Sequence, residues 1–364
     1  MNPTRKSTIS RGPVAATTSV LLGLVLALSV SVARAQPPAD PHYGRQWNLV
    51  RIGVERAWDQ ATGEGAVIAI VDSGIDLGHP DLETQVAFSG DADFVDPRPA
   101  CSEGGADESC DSNGPQDEYG HGTHVAGIAA AATGNAIGVA GIARDATLLP
   151  VRVLDANGNG ETSDIAEGVK YAADQGANVI NLSLAYDSIE GILGEPETLY
   201  DAIDYAWTRG AVIVASAGND SFPLCAEPAA HPRVVCVGAI DRSDLRSFYS
   251  NSDATMSNPF VVAPGGDGLS DAGFCGGDIF STYLRPLEPL CSSEPGYEAI
   301  GGTSQATAHV SGVAVLLAGQ GLDNEAIVDC LVATAEDLGA AGRDPVYGFG
   351  LVDAARAVTD CRAP

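Results

Sequence analysis

Four short segments, far apart in the chain, carry side chains able to act together on an acyl group. VDSGID holds Asp72, HGTHVAG opens on His121 and includes His124, SAGND holds Asn219, and GTSQATAHVSG holds Ser304. A serine hydroxyl is a poor nucleophile near neutral pH and needs a base to take its proton as it attacks. An imidazole can accept that proton and return it to the leaving group, while a carboxylate holds the imidazole in one tautomer and stabilises its cation. An acid, a base, an amide donor and an alcohol, each in its own local signature, point to acyl transfer by an activated serine.

Each residue alone has a plainer reading. Asp72 can cap a turn, Asn219 can sit in one, and Ser304 can be a helix N-cap. His121 and His124 are three apart, but a helical metal pair uses a spacing of four with an intervening Glu, as in HExxH, and no Glu intervenes here. His124 reads as packed behind the site, and His309 as a core histidine with its hydrogen bonds met. The joint occurrence, in the order Asp, His, Asn, Ser, outweighs these separate explanations.

The elements that must position them can be read from the apolar pattern. AVIAIVD (66–72), TLLPVRVL (147–154), ANVINLSL (177–184), GAVIVASAG (210–218) and RVVCVGA (233–239) are Val/Ile-rich runs of strand length without polar alternation. Such runs belong to strands buried on both faces. Between them lie helix-like segments over 122–132, 162–175, 197–209 and 303–318. The alternation predicts a parallel sheet covered on both sides, with sites gathered at the C-terminal ends of the strands. Asp72 and Asn219 end strand-like runs, and His121 and Ser304 begin helical ones, so all four are expected at one rim. Loops concentrate at 89–119 and 264–302.

These motifs resemble those of the subtilisin-like serine proteases, the subtilases, from about Trp47 to about Val358, including the closing GFGLVDAARAV. Within the nucleophile motif two positions depart from the family's pattern: Gln305 follows the nucleophile where Met is usual, and Ala308 precedes His309 where Pro is usual. The resemblance implies an α/β fold with a mainly parallel central sheet and helices on both faces. It also implies an endopeptidase acting through an acyl-enzyme on Ser304, with the Ser304 N–H and the Asn219 amide as oxyanion donors. The substrate would lie as an added strand between Gly158-Asn159-Gly160 and Ser183-Leu184-Ala185, with Ala185 replacing the family's usual Gly. Ala215-Ser216-Ala217 would form the other wall of the pocket for the residue before the cleaved bond (P1), with Ala226 near its floor. Asp220 and Glu227 would stand at the rim of a pocket roomy enough for large apolar or aromatic side chains and tolerant of Lys or Arg. A structural Ca²⁺ would take side-chain oxygens from Asp81, Asn135 and Gln46 and carbonyls from Thr133, Ile137 and Val139; no organic cofactor is implied. One rival reading is a catalytically silent peptide-binding protein on the same scaffold. The other is a serine esterase or amidase, and no G-x-S-x-G elbow surrounds Ser304 to support it.

The ends and the composition set the context. Arg5, Lys6 and Arg11 precede an apolar stretch from about Val20 to Val32, and Ala33-Arg34-Ala35 follows. That stretch is short of the roughly 20 residues a membrane-spanning helix needs. The pattern predicts a secretory signal peptide over 1–35 and a secreted or periplasmic protein. Residues 36–364 are expected to form a single catalytic domain, and the short interval from Ala35 to Gln46 leaves no evident pro-domain. Folding is then expected to be aided by disulfides and calcium. Beyond residue 35 there are 15 basic and 48 acidic residues, a net of −33 with His neutral, and Lys170 is the only Lys. Such a surface repels nucleic acid and anionic membranes; the resemblance implies peptide or protein substrates as partners, and the expected state is a monomer. The eight Cys lack any C-x-x-C pair. With an export signal they predict disulfides, and sequence proximity favours Cys101–Cys110, Cys225–Cys236, Cys275–Cys291 and Cys330–Cys361.

Overall fold

A computed structural model describes residue 1 and residues 37–87, 92–95, 114–185, 196–285 and 287–362. Its centre is a six-stranded sheet of β1 (Val67–Asp72), β2 (Thr147–Arg152), β3 (Val179–Leu182), β4 (Val212–Ser216), β5 (Val234–Ile240) and β6 (Phe260–Pro264), in the order β2-β1-β3-β4-β5-β6. Every adjacent pair is parallel. Successive residues of a strand face opposite sides. Because β3, β4, β5 and β6 are buried at every position, both faces of the sheet are covered. That is the expected α/β architecture. The expected strand runs appear with trimmed ends, except that β5 runs on to Ile240. The strand β6 (FVVAP) and an antiparallel pair, β7 (Ile279–Thr282) with β8 (Tyr297–Ile300), were not among them.

The helices are α1 (Trp47–Arg51), α2 (Val54–Ala57), α3 (His121–Ala130), α4 (Thr162–Asp174), α5 (Pro196–Thr208), α6 (Thr303–Gly319), α7 (Asn324–Thr334) and α8 (Ala354–Asp360). Helix α6 is buried from Thr303 through Leu317 and packs against β3, β4, β5 and β6, with α3 alongside it. Its apolar and small residues run all round the helix, as a helix enclosed in a core requires. Helices α4 and α5 pack on each other; α4 touches β1, β2 and β3, and α5 touches β4.

The strand order explains where a site can form. The chain leaves β1 for β2 on one side and then returns to β3 on the other. A crevice opens where the connections diverge, beyond the C-terminal end of β1. Asp72 is the last residue of that strand.

Disulfides join Cys225–Cys236, Cys275–Cys291 and Cys330–Cys361, with Cα separations of 6.5, 5.4 and 6.0 Å. The expected Cys101–Cys110 pair lies outside the described residues. Among the described residues no helix is long and apolar enough to cross a membrane.

Candidate active site

Asp72 is fully buried at the end of β1, and His121 opens α3 with its side chain 21% exposed. The imidazole Nδ1 lies 2.8 Å from Asp72 Oδ1 and 3.0 Å from Oδ2. Glycine makes this approach possible. A Cβ on Gly122 would lie 2.2 Å from the Gly74 carbonyl oxygen and 3.2 Å from Asp72 Cβ, so only glycine lets α3 begin against the strand end. The Gly122 N–H donates to Ser73 Oγ, and the Ser73 N–H donates to Asp72 Oδ1. Burial alone would disfavour the imidazolium. The charge of Asp72, its hydrogen bonds and the more distant charge of Asp117 outweigh that, so the His121 pKa lies above the ordinary histidine value.

Asp117, which the sequence reading passed over, fixes the turn into α3. Its Oδ1 accepts from the N–H groups of Tyr119 and Gly120, and its Oδ2 from the N–H and hydroxyl of Thr123. These are donors that a helix start leaves without intrahelical partners. The signal was available as an acidic residue just ahead of a helical run.

Ser304 is the second residue of α6 and 9% exposed. Its hydroxyl donates to the Ser183 carbonyl at 3.0 Å, while Ser183 Oγ donates to the Ser304 carbonyl at 2.8 Å. Asn219 Oδ1 accepts from the Thr303 N–H at 3.0 Å and the Thr303 hydroxyl at 2.9 Å. Two donors on one atom assign the amide orientation and leave the Nδ2 donors for another acceptor beside the start of α6.

A cleft of about 410 Å³ unites the rest. His121, Gly158, Asn159, Gly160, Ser183, Leu184 and Ala185 line it, together with three residues the motifs did not point to: Tyr119, Leu154 and Ile165. Both expected substrate-flanking segments therefore face the imidazole. Ala215, Ser216 and Ala217 are buried and do not line this cleft, and the Ser216 hydroxyl donates to the Leu184 carbonyl. Ala226 is buried with its N–H on the Ala217 carbonyl, and Asp220 is exposed. Glu227 turns its Oε1 to the Tyr200 hydroxyl.

His124 lies behind the site. Its Nε2 reaches the carbonyls of Ile279 and Glu298, both at 3.2 Å, and burial holds its pKa down to about 3. Gln305 contacts His124 Nδ1 at 3.4 Å, so the departure from the usual Met gives a polar residue a polar neighbour. His309 is also a satisfied core histidine, with Nδ1 on the Gln305 carbonyl and Nε2 on Asn48 Nδ2.

The residues expected to hold calcium meet around the 133–139 loop. Buried Asp81 accepts from Asn135 Nδ2, the Val139 N–H and the Tyr297 hydroxyl, and burial pushes its pKa up to about 6, with the charge of Asp40 adding to the rise. The carbonyls of Thr133, Ile137 and Val139 accept no backbone hydrogen bond among the described residues. Asp81 and these carbonyls form an all-oxygen set with excess negative charge, which fits a hard cation. Backbone groups hold the two amides at this loop: Gln46 pairs both ways with Ala140, and Asn135 Oδ1 accepts from the Ile137 N–H, each amide oxygen keeping a second lone pair. Among the described residues, no group of three or more His, Cys, Asp or Glu side chains could hold a metal.

A carboxylate–imidazole pair at a sheet switch point, an alcohol at the start of a buried helix and a cleft lined by that imidazole are groups a serine-type hydrolase requires. The chain matches the subtilase family over residues 63–350 and belongs to that family. It is 39% identical to thermitase of Thermoactinomyces vulgaris over 322 residues, covering 88% of this chain and 99% of thermitase. It is 35% identical to subtilisin Savinase of Lederbergia lenta over 313 residues, covering 85% and 96%. A solved protease structure from Pseudoalteromonas arctica superposes with a TM-score of 0.72 at 31% identity, covering 89% of this chain and 99% of that one. The protein is a serine-type endopeptidase acting on peptide or protein substrates.

Proposed function

We propose that Ser304 is the nucleophile of an exported endopeptidase, with His121 as its general base and Asp72 orienting the imidazole. Ser304 Oγ attacks the scissile carbonyl carbon as His121 Nε2 takes the hydroxyl proton. The oxyanion that forms meets the Ser304 N–H at the positive end of α6 and Asn219 Nδ2. Collapse breaks the C–N bond, and His121 returns the proton to the departing amine. A water molecule then repeats the sequence on the acyl-enzyme. The peptide pairs as a strand with 158–160 on one side and 183–185 on the other.

The observation that supports this reading best is the 2.8 Å Asp72–His121 contact at a cleft shared with Ser183, whose carbonyl holds the Ser304 hydroxyl. A fluorophosphonate probe tests it. Covalent labelling of the protein, absent in Ser304→Ala, is the expected result. Labelling that survives the substitution, or no labelling of the native protein, rejects it.

On the same reading, residues 1–35 direct export and are removed after Ala35, so the N-terminal residue of the protein recovered outside the cytoplasm should be Gln36. Ca²⁺ would be held by Asp81 and the carbonyls of Thr133, Ile137 and Val139, where it would neutralise buried negative charge and brace the loop.

A further inference from the structure

We infer that Asn159 and Gly160 form a site of spontaneous chemical modification in the folded protein, where the asparagine closes to a succinimide and reopens as aspartate or isoaspartate. The chemistry does not depend on the function proposed above; its effect on the protease rests on that reading. The backbone nitrogen of the following residue attacks the asparagine Cγ. The Cγ–Nδ2 bond breaks, and the amide leaves as ammonia with the proton that the backbone nitrogen gives up. Water then opens the ring at either carbonyl. One product is aspartate; the other is isoaspartate, whose main chain runs through the former side chain and is one methylene longer. A following glycine makes closure easiest, because no Cβ crowds the approach.

The chain has three Asn-Gly pairs, at Asn113, Asn157 and Asn159. Asn113 lies outside the described residues, and the other two share one surface turn. Their attacking nitrogens differ. The Gly158 N–H donates to the Asp155 carbonyl at 3.0 Å, and the Asn157 N–H donates to Asp155 Oδ1 at 2.8 Å, so the first pair is tied down. The Gly160 N–H donates to no protein acceptor among the described residues. Asn159 and Gly160 are both exposed, so water reaches the ring that forms. The Asp155 carboxylate takes hydrogen bonds from both side-chain amides, so that contact does not separate the two pairs. The free nitrogen does.

Packing keeps the vulnerable pair in place. A Cβ on residue 160 would lie 2.4 Å from the Val153 carbonyl oxygen and 2.7 Å from Leu154 Cδ2. Only glycine lets the segment lie against Val153, so no side chain at 160 can shield its own nitrogen. On the proposed reading the same N–H faces the substrate strand. A bound peptide would take it as a donor and hold it away from Cγ. Main-chain hydrogen bonds give an added strand its affinity. Isoaspartate at 159 lengthens the pairing segment by one methylene and puts those bonds out of step. The protease therefore loses hold of extended peptides as it ages, fastest when its cleft is empty.

The test ages the full chain carrying Ser304→Ala, which on the proposed reading does not digest itself, at mildly alkaline pH. Peptide mapping by mass spectrometry follows, at 157 and 159, the mass gained when an amide becomes an acid. In urea the two positions should convert at comparable rates. In the folded protein 159 should convert faster than 157 by about fivefold or more, the rate equivalent of one hydrogen bond on the attacking nitrogen. Asn159→Gln, which would have to close a larger ring, should abolish the signal at 159. A folded-state ratio near one or below overturns the inference. So does conversion at 159 no faster than at Asn48, which is buried and followed by Leu. A saturating tetrapeptide amide ending in Phe should slow 159 and leave 157 unchanged. Rapid conversion at 159 that ignores the bound peptide supports the modification and rejects the placement of substrate along 158–160, so the two failures are separable.

Discussion

Replacing Asp72 by Asn probes the pairing on which the proposed chemistry turns. The change keeps shape and volume at a fully buried position and removes one charge next to His121. With contacts of 2.8 and 3.0 Å, the centres of the carboxylate and the imidazolium lie about 4 Å apart, where two unit charges interact by about 4 kcal/mol at an effective dielectric near 20. That stabilisation is absent while the imidazole is neutral and present once it has taken the serine proton. Its loss falls on the transition state and corresponds to about 10³-fold in kcat. An asparagine amide can also present its N–H to Nδ1 and select the wrong tautomer, which extends the expected loss to about 10⁴-fold.

The pH profile gives an independent reading. The base form of His121 is needed, so activity falls as pH drops through its pKa. The Asp72 charge holds that pKa above 6.5, placing the acid limb of kcat/KM above pH 6.5 in the native protein. Without the charge, burial pushes the other way, and the limb of Asp72→Asn should move to lower pH while its plateau collapses. A chromogenic peptide anilide, assayed from about pH 5 to pH 9 against a Ser304→Ala background, measures both. A loss under about tenfold with an unmoved acid limb would refute the assigned roles of Asp72 and His121.

Three other outcomes are expected. Asn219→Asp keeps the acceptor that Thr303 uses and deletes the Nδ2 donor, so it should fold normally and lose at least about 100-fold in kcat with KM little changed, the scale known for the corresponding donor in subtilisin, a member of this family. A chelator should lower the thermal midpoint, since an ion held at 100 times its Kd adds about 2.7 kcal/mol; Asp81→Asn should abolish that response, and a midpoint indifferent to chelator argues against bound calcium. His309 is buried with its pKa lowered to about 4, so on acidification the unfolded chain takes up its proton first. Its contribution is intact above pH 6.5 and declines by a few kcal/mol as pH falls toward 4, which urea midpoints of the native protein and His309→Gln at pH 7 and pH 4.5 would register.

Much of this was legible in the chain. The strands could be read because doubly covered strands have no polar alternation to blur the pattern, and VIAIVD and VVCVGAI are unbroken apolar runs. The chain segment of β6 is short and ends in Pro264, and β7 and β8 mix Ser, Thr and Glu with apolar residues, so periodicity did not separate them from loop. Asp72, His121, Asn219 and Ser304 stood out because each lies in a local signature. Thr303 orienting Asn219, Arg152 holding Glu118, and Tyr119 resting on Gly158 join residues remote in sequence, and no local pattern records such contacts. The Gln46 amide pairing both ways with Ala140 is another such contact, since a buried backbone polar group left unpaired is costly.

The resting place of the Ser304 hydroxyl bears on how the His121 profile should be read. It donates to Ser183, not to the imidazole, so attack first requires rotation of the hydroxyl toward His121. The rotation exchanges one hydrogen bond for another, each worth about 1 kcal/mol net, and so adds little to the barrier. On the proposed reading, a substrate strand lying along 183–185 brings its own N–H groups to the carbonyls of that segment and competes with the hydroxyl for Ser183. Binding then drives the serine toward its base, and the free protein need not hold the two in contact. The hydroxyl does not titrate in the assayed range, so neither its resting position nor its release can bend the acid limb. What varies with pH there is the charge on His121, set by Asp72 beneath it.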